Sequence, residues 1–249
     1  MRFLIDTHVH SVASGHAYST VQEIAREARR AGLKLVALTD HGPAMEGAPC
    51  VYHFWNLKVI PDAIGSVRIL KGAELNIVDY DGALDLPEPI LSGLEFALAG
   101  FHHICLAPRD AARNTETLLR TLENPHVDAI SHPNNPQVPV DLEGFVRGCA
   151  ERNRLVELNQ NSLTAGGEAA ARCVLLARCC VRLGVRVLCG SDAHIAFAVG
   201  RFEPMGRLFR EIGMPEELVM NASMKRFKSY LAERAERTCG WVKAQEVDA

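Results

Sequence analysis

What the chain has little of narrows its function first. Aromatic residues make up only 6% of its 249 positions, and the formal charge is -3, with 27 Lys and Arg against 30 Asp and Glu. The arginines are scattered rather than massed, so a basic groove with stacking aromatics for nucleic acid is not expected. No apolar run approaches the ~20 residues needed to span a bilayer, and Asp6 and His8 arrive before a stretch of signal-peptide length develops. The expectation is a cytoplasmic protein with no membrane partner. Eight cysteines are present without a CxxC pair, and several, including adjacent Cys179 and Cys180, lie in apolar helical or strand patterns. They read as reduced, buried small hydrophobes rather than disulfides or zinc ligands. Neither a GxSxG elbow nor a P-loop occurs, which removes two common catalytic frameworks.

What is present alternates. Phe3 to Ile5 is an apolar run followed by Asp6, His8 and His10 at steps of two, which strict strand alternation places on one face. Ser19-Thr20-x-x-Glu23 is a capping-box pattern that opens a helix to about Ala31, closed by Gly32. Six further buried strands follow: Leu33–Leu38, Val67–Asn76, a run from Phe96, Val127–Ile130, Leu155–Asn159 and Val185–Leu188. Helices are expected near Phe54–Ile60, Thr115–Leu122, Pro139–Asn153 and Glu168–Leu183, with more beyond Glu203. Asp81-Gly82 marks a hairpin tip. Apolar content of 48% suits one large core, and no compositional seam divides residues 1–249, so a single domain is expected, its last ten or so residues loosely ordered. Strands alternating with helices argue for parallel βαβ units closed into an α/β barrel, with every strand end on one face.

Six of the seven strand ends carry a side chain able to hold a metal. Pooled, they are His8, His10, His16, His41, Glu74, His102, His132, Asp192 and His194, which leaves His53, His103 and His126 outside the set. One such residue alone is ordinarily a cap or a hydrogen-bonded loop residue. Convergence of nine exceeds the three or four protein ligands of a single catalytic zinc and suits a cluster of ions with a bridging carboxylate. Seven imidazoles with two carboxylates favour Zn, Mn or Fe over Mg or Ca. Such a site activates water without a protein nucleophile and clamps the oxygens of an in-line displacement, which fits hydrolysis of a phosphate ester.

The stretches DTHVHSVASGHAYST, LTDHGPAMEGAP, GAELNI, AGFHH, ISHPNNP, VELNQNS and GSDAHIAF, in that order, resemble the PHP (polymerase and histidinol phosphatase) family, closest to its YcdX-type phosphatases. The resemblance implies a distorted (β/α)7 barrel of TIM-like kind and a trinuclear, zinc-type centre, with manganese or iron as alternatives. It would assign His8, His10, Glu74 and Asp192 to one ion, Glu74, His102 and His132 to a second, and His16, His41 and His194 to a third. A bridging hydroxide would attack a small phosphorylated substrate, and self-association into a homo-oligomer is also implied. Asp6 and Asp40, beside ligands, are candidates to orient imidazoles through hydrogen bonds. Thr7 and His103 depart from the family's usual residues, and the roles of His53, His103, Arg109 and Arg113 stay open; the two arginines are candidates to meet a phosphate.

Three rivals follow from the same residues. Amidohydrolases share the HxH entry but resemble sites with a lysine at the end of strand four, and FALAGFHH supplies none. A phosphodiesterase or nuclease role calls for the basic groove the chain lacks. A non-catalytic metal-binding module needs fewer ligands than nine.

Overall fold

The computed structural model describes residues 1–247, with side chains to Cys239. Its centre is a sheet of seven parallel strands in the order β1 (Ile5–Val9), β2 (Leu35–Leu38), β4 (Val67–Asn76), β5 (Phe96–Gly100), β6 (Ala129–Ile130), β7 (Leu155–Asn159) and β8 (Val187–Gly190). An eighth, β3 (Ala63–Ile64), pairs antiparallel with the start of β4 and was not expected from the sequence. The sheet curls until its first and last strands meet. Near their C-terminal ends, Val9 bridges Ala193 and the His10 N–H donates to the Ala193 carbonyl at 3.0 Å. Lower down, Asn221 does the joining: its amide donates to the Ile5 and Cys189 carbonyls and its oxygen accepts from the Cys189 N–H. The result is one α/β domain nearly closed into a barrel, distorted where a side chain replaces a ladder.

Helices cover the outside, and their ends follow local chemistry. Thr20 and Glu23 form the capping box of α1 (Val21–Arg30). The segment after β2 gives α2 (Val51–Asn56) and a tighter turn over Leu57–Val59, with α3 (Glu88–Leu91) after β4. Asp110 and Asp141 cap α4 (Ala111–Thr121) and α5 (Leu142–Glu151). Both helices differ by a few residues from the periodicity reading, because these aspartates rather than the apolar pattern fix the first turn. Next come α6 (Gln160–Thr164) and α7 (Gly167–Leu183), the latter ended by Gly184 in the left-handed region. Finally α8 (Glu203–Ile212) leads to α9 (Met224–Val247). The expected loose order of the last ten residues concerns side chains that lie outside the described residues.

Alternation separates two cores. Ile5, Leu35, Ala37, Leu70, Phe96, Leu98, Ala129, Leu155 and Leu188 fill the barrel, while Val36, Leu38, Ile69, Ala97, Ile130 and Val156 pack outward against the helices. Phe227 and Tyr230 of α9 plug the lower opening. Asp128 locks the plug: it accepts from the Tyr230 hydroxyl at 2.6 Å, Arg234 Nε at 2.9 Å and Arg237 at 3.0 Å. Five of the eight cysteines, including Cys179 and Cys180, are buried and unpaired, as their apolar contexts implied. No described helix is long and apolar enough to cross a membrane.

Candidate metal centre

The inward-facing positions of the strands change from apolar to polar on approaching their C-terminal ends. Leu70 gives way to Glu74 and Asn76, Leu98 to Gly100 and His102, Leu155 to Glu157 and Asn159, and Leu188 to Gly190 and Asp192. Gly100 and Gly190 are required there: a Cβ on the first would collide with the His102 ring, and one on the second with Glu157 and His8. On β1 the strict alternation expected for Asp6, His8 and His10 fails. Pairing with β2 slips between Asp6 and Val9, so that Ile5 lies in the inner core and Val9 in the outer. This bulge turns His8 into the barrel and leaves Asp6 on the other side. The Asp6 carboxylate is then taken up by the backbone N–H groups of Ser191 (3.0 Å), Gly200 (2.9 Å) and His8 (3.4 Å) and touches no imidazole. Its part is to hold the end of β8 to β1, a correction to the orienting role considered for it.

Glu74 is the hub. It is fully buried, and five imidazole nitrogens surround its carboxylate: His41 Nδ1 at 2.9 Å, His8 Nε2 at 3.3 Å and His10 Nε2 at 3.5 Å from Oε2, with His132 Nε2 at 3.0 Å and His102 Nε2 at 3.2 Å from Oε1. Neither oxygen has a hydrogen-bond partner, and His41 Nδ1 and His102 Nε2 are orphaned too. Asp192 Oδ1 lies 3.4 Å from His10 Nε2, 3.7 Å from His8 Nε2 and 3.5 Å from His194 Nδ1. Donor atoms cluster in three overlapping sets: His8, His10 and Glu74; His41, Glu74 and His102; His10, His41 and His194. His16 stands just outside these, its ring stacked 5.0 Å from His41 and 4.8 Å from His194. All nine pooled residues therefore reach one mouth, His16 at its edge.

A second layer fixes which ring nitrogens face inward. Glu157 Oε1 sits 2.7 Å from His8 Nδ1, and its Oε2 accepts from the His132 backbone N–H at 2.5 Å. Ser14 Oγ lies 3.0 Å from His10 Nδ1 and donates to Asp40 at 2.7 Å, so Asp40 does reach an imidazole, through a hydroxyl. Asn76 Oδ1 is 2.6 Å from His102 Nδ1, and its amide donates to Asp85 at 2.6 Å. With their outer nitrogens engaged by Glu157 and Ser14, His8 and His10 bring their Nε2 atoms within 3.0 Å of each other, an arrangement a shared cation resolves. Glu157, Asn76, Ser14 and Asp85 were missed in the sequence. The signal was there: Glu-Leu-Asn recurs at 74–76 and 157–159, each ending a buried strand.

Two of the three described non-glycine residues with positive φ are at the centre, His132 at 31° and Asp192 at 55°; the third, Asn153, lies in the turn before β7. For His8, desolvation is outweighed by the charges of Glu157, Glu74 and Asp192, which raise its pKa well above the ordinary imidazole value. Burial lowers His10 to about 3. Against their own desolvation, Glu74 and Asp192 are held far below the usual carboxylate range by the imidazoles, His8 foremost. A buried anionic hub ringed by imidazole nitrogens, two of them unsatisfied, fits divalent cations better than a hydrogen-bond scheme.

A cavity of about 590 Å³ opens over the cluster, with Met45, Glu46, His103, Ile104, Gln137 and Ser162 among its walls. The two arginines considered for phosphate contact lie elsewhere: Arg109 stacks 3.8 Å over the Tyr80 ring, and Arg113 pairs with Glu116 and Asp81. His53 approaches Asp40 at 3.7 Å.

The sequence matches the PHP domain over residues 6–231, nearly the whole chain. This protein belongs to the PHP family. Related chains include a probable phosphatase from Acetivibrio thermocellus, 52% identical over 95% of this chain and 98% of its own, and one from Caldanaerobacter subterraneus subsp. tengcongensis, 47% identical over 96% and 95%. Histidinol phosphate phosphatase from Lactococcus lactis, solved with zinc, L-histidinol and phosphate, superposes with a TM-score of 0.59 at 15% identity, covering 86% of this chain and 95% of that one. A chain of archaeal ribonuclease P with mature tRNA gives a TM-score of 0.55 at 13% identity, covering 95% and 90%. At such identities the likeness shows a shared fold, and this PHP domain's reaction has to be argued from its site.

Proposed function

We propose that this PHP domain is a metal-dependent phosphatase hydrolysing small phosphate monoesters. The observation that carries the reading is Glu74: a fully buried carboxylate, free of hydrogen bonds, with five imidazole nitrogens within 3.5 Å. The naming of its relatives as probable phosphatases, and the zinc and phosphate bound by the Lactococcus lactis structure, point the same way. Three ions would be held by His8, His10, Glu74 and Asp192, by Glu74, His102 and His132, and by His16, His41 and His194. The three overlapping donor sets support that number, and the imidazole-rich composition supports zinc, with manganese and iron also compatible. Bound ions supply the Lewis-acid charge that activates water and neutralises phosphate oxygens.

The protein's own residues do the arranging. Glu157, Ser14 and Asn76 keep the inner nitrogens of His8, His10 and His102 free to coordinate. Walls from the loops after the strands confine the ester to the mouth, and among the described residues no cysteine lines them. Nor does a lysine stand among the cavity's walls, which sets the site apart from the amidohydrolase pattern. The test is metal analysis of the purified protein followed by assays on a phosphomonoester, a phosphodiester and an amide. Hydrolysis of 4-nitrophenyl phosphate, lost on Glu74→Gln together with bound metal, supports the reading. Turnover of amides or diesters alone overturns it.

A further inference from the structure

Beyond the cluster itself, the cavity is unusual in its charge. Among the described residues its walls contain no lysine or arginine; Arg201 lines an adjoining recess and is exposed to solvent. The only charged wall residue outside the metal cluster is Glu46. This carboxylate is itself exposed to solvent, forms no ion pair among the described residues, and sits on a loop that is pinned rather than free. The Ala44 N–H donates to Asp85 Oδ2 at 3.0 Å, the Gly42 N–H to the Glu74 carbonyl at 2.8 Å, and the Ala48 N–H to the Met45 carbonyl at 3.0 Å. Gly15 and Gly47 touch backbone to backbone so closely that a Cβ on Gly15 has no room. The same cavity is lined by neutral hydrogen-bonding groups, Asn135, Gln137, Asn161 and Ser162, and by apolar Ile104 and Pro136.

From this we infer that the site selects phosphomonoesters whose alcohol part is uncharged and hydroxylated, and that Glu46 is the group that turns away a second anion. The inference rests on the phosphatase reading and deepens it. A metal cluster suffices to bind one phosphate, so nothing else in the wall needs to be cationic. A bisphosphate, a nucleoside diphosphate or a carboxylate-bearing ester would bring a further negative charge against Glu46 with no counter-charge to meet it. A carboxylate beside amide and hydroxyl groups is instead a good partner for alcohol O–H donors, each of which it accepts in a charge-assisted bond. The cavity's size is in the range of sites for small ligands.

Glycerol 3-phosphate and 3-phosphoglycerate make a matched pair, differing by a CH2OH against a carboxylate. With the metal-loaded full-length protein, kcat/KM is expected to favour glycerol 3-phosphate by about tenfold or more. Glu46→Gln should shrink that ratio severalfold, and Glu46→Lys should invert it. A wild-type preference for 3-phosphoglycerate, or a ratio unmoved by both substitutions, overturns the inference while the phosphatase reading stands, provided 4-nitrophenyl phosphate is hydrolysed. Failure to hydrolyse 4-nitrophenyl phosphate and both esters overturns both readings, and hydrolysis of 4-nitrophenyl phosphate with neither ester turned over overturns the inference alone.

Discussion

Replacing Glu157 with glutamine tests whether the centre depends on its outer layer, since it removes one charge and almost no volume. Glu157 faces His8 Nδ1 at 2.7 Å with one oxygen and the His132 N–H at 2.5 Å with the other, which also meets Asn159 Nδ2 at 3.4 Å. A primary amide has one oxygen to give. If it stays on His132, the amide NH2 faces His8 Nδ1, and the His8 proton moves to Nε2, the atom that has to coordinate. If it stays on His8, the amide NH2 opposes the His132 N–H, and the left-handed φ of 31° loses its anchor. Either way a charge-assisted bond worth ~1.5–3 kcal/mol is lost. Felt at the ligands, that loss weakens metal binding on the order of 10- to 100-fold. The assay is metal content by mass spectrometry after dialysis against a graded chelator series, with circular dichroism reporting the fold at each step. Glu157→Gln should release its ions at correspondingly lower chelator strength while remaining folded. Coincident release curves for variant and wild type refute the argument, whatever happens to turnover.

Asp128→Asn leaves Arg234 and Arg237 without their buried counter-charge. A loss of ~3–5 kcal/mol is expected, which lowers the melting temperature by roughly 10 °C in a chain of this size, and an unchanged melting curve would show that α9 is not locked this way. Removing the ions with a chelator should lower the melting temperature reversibly, because they bind the folded chain and not the unfolded one; a melting point indifferent to metal would refute the centre as a folding determinant. Arg109→Ala should keep kcat/KM within about twofold of wild type, since surface substitutions away from special features change little and Arg109 covers Tyr80 rather than the cavity; a larger fall on 4-nitrophenyl phosphate would return it to the site. Thiol titration of the native protein should show fast reaction at Cys50 and Cys239 and slow reaction at the five buried cysteines, where burial pushes Cys173 up to about 12. Uniform reactivity would refute that packing.

Much of the barrel was legible because its strands are buried on both sides and end abruptly in polar residues, a pattern that survives without knowledge of contacts. Leu155 to Asn159 came out to the residue, and Gly184 stopped α7 where a left-handed end was expected. Helix starts were less legible where an aspartate cap set the boundary, as at Asp110 and Asp141. The nine pooled side chains could be found because each ends a strand or the loop after it, and the fold alone brings such ends together. Asp6 shows the limit of that reasoning. A count by twos places it with His8, but a bulge of one residue moves it across the sheet, and a bulge depends on pairing with β2 that one strand's sequence does not display. The outer layer was harder for a different reason. Glu157 and Asn76 have the same chemistry as ligands and capping residues, and only distance distinguishes a carboxylate that holds an ion from one that holds the imidazole beside it. That is why Glu74 and Glu157, each opening a Glu-Leu-Asn at a strand end, have separate tasks: the first is surrounded by unpartnered nitrogens, while the second spends both oxygens on N–H donors. The pairing state of each buried oxygen, rather than residue type, separates the hub from its support.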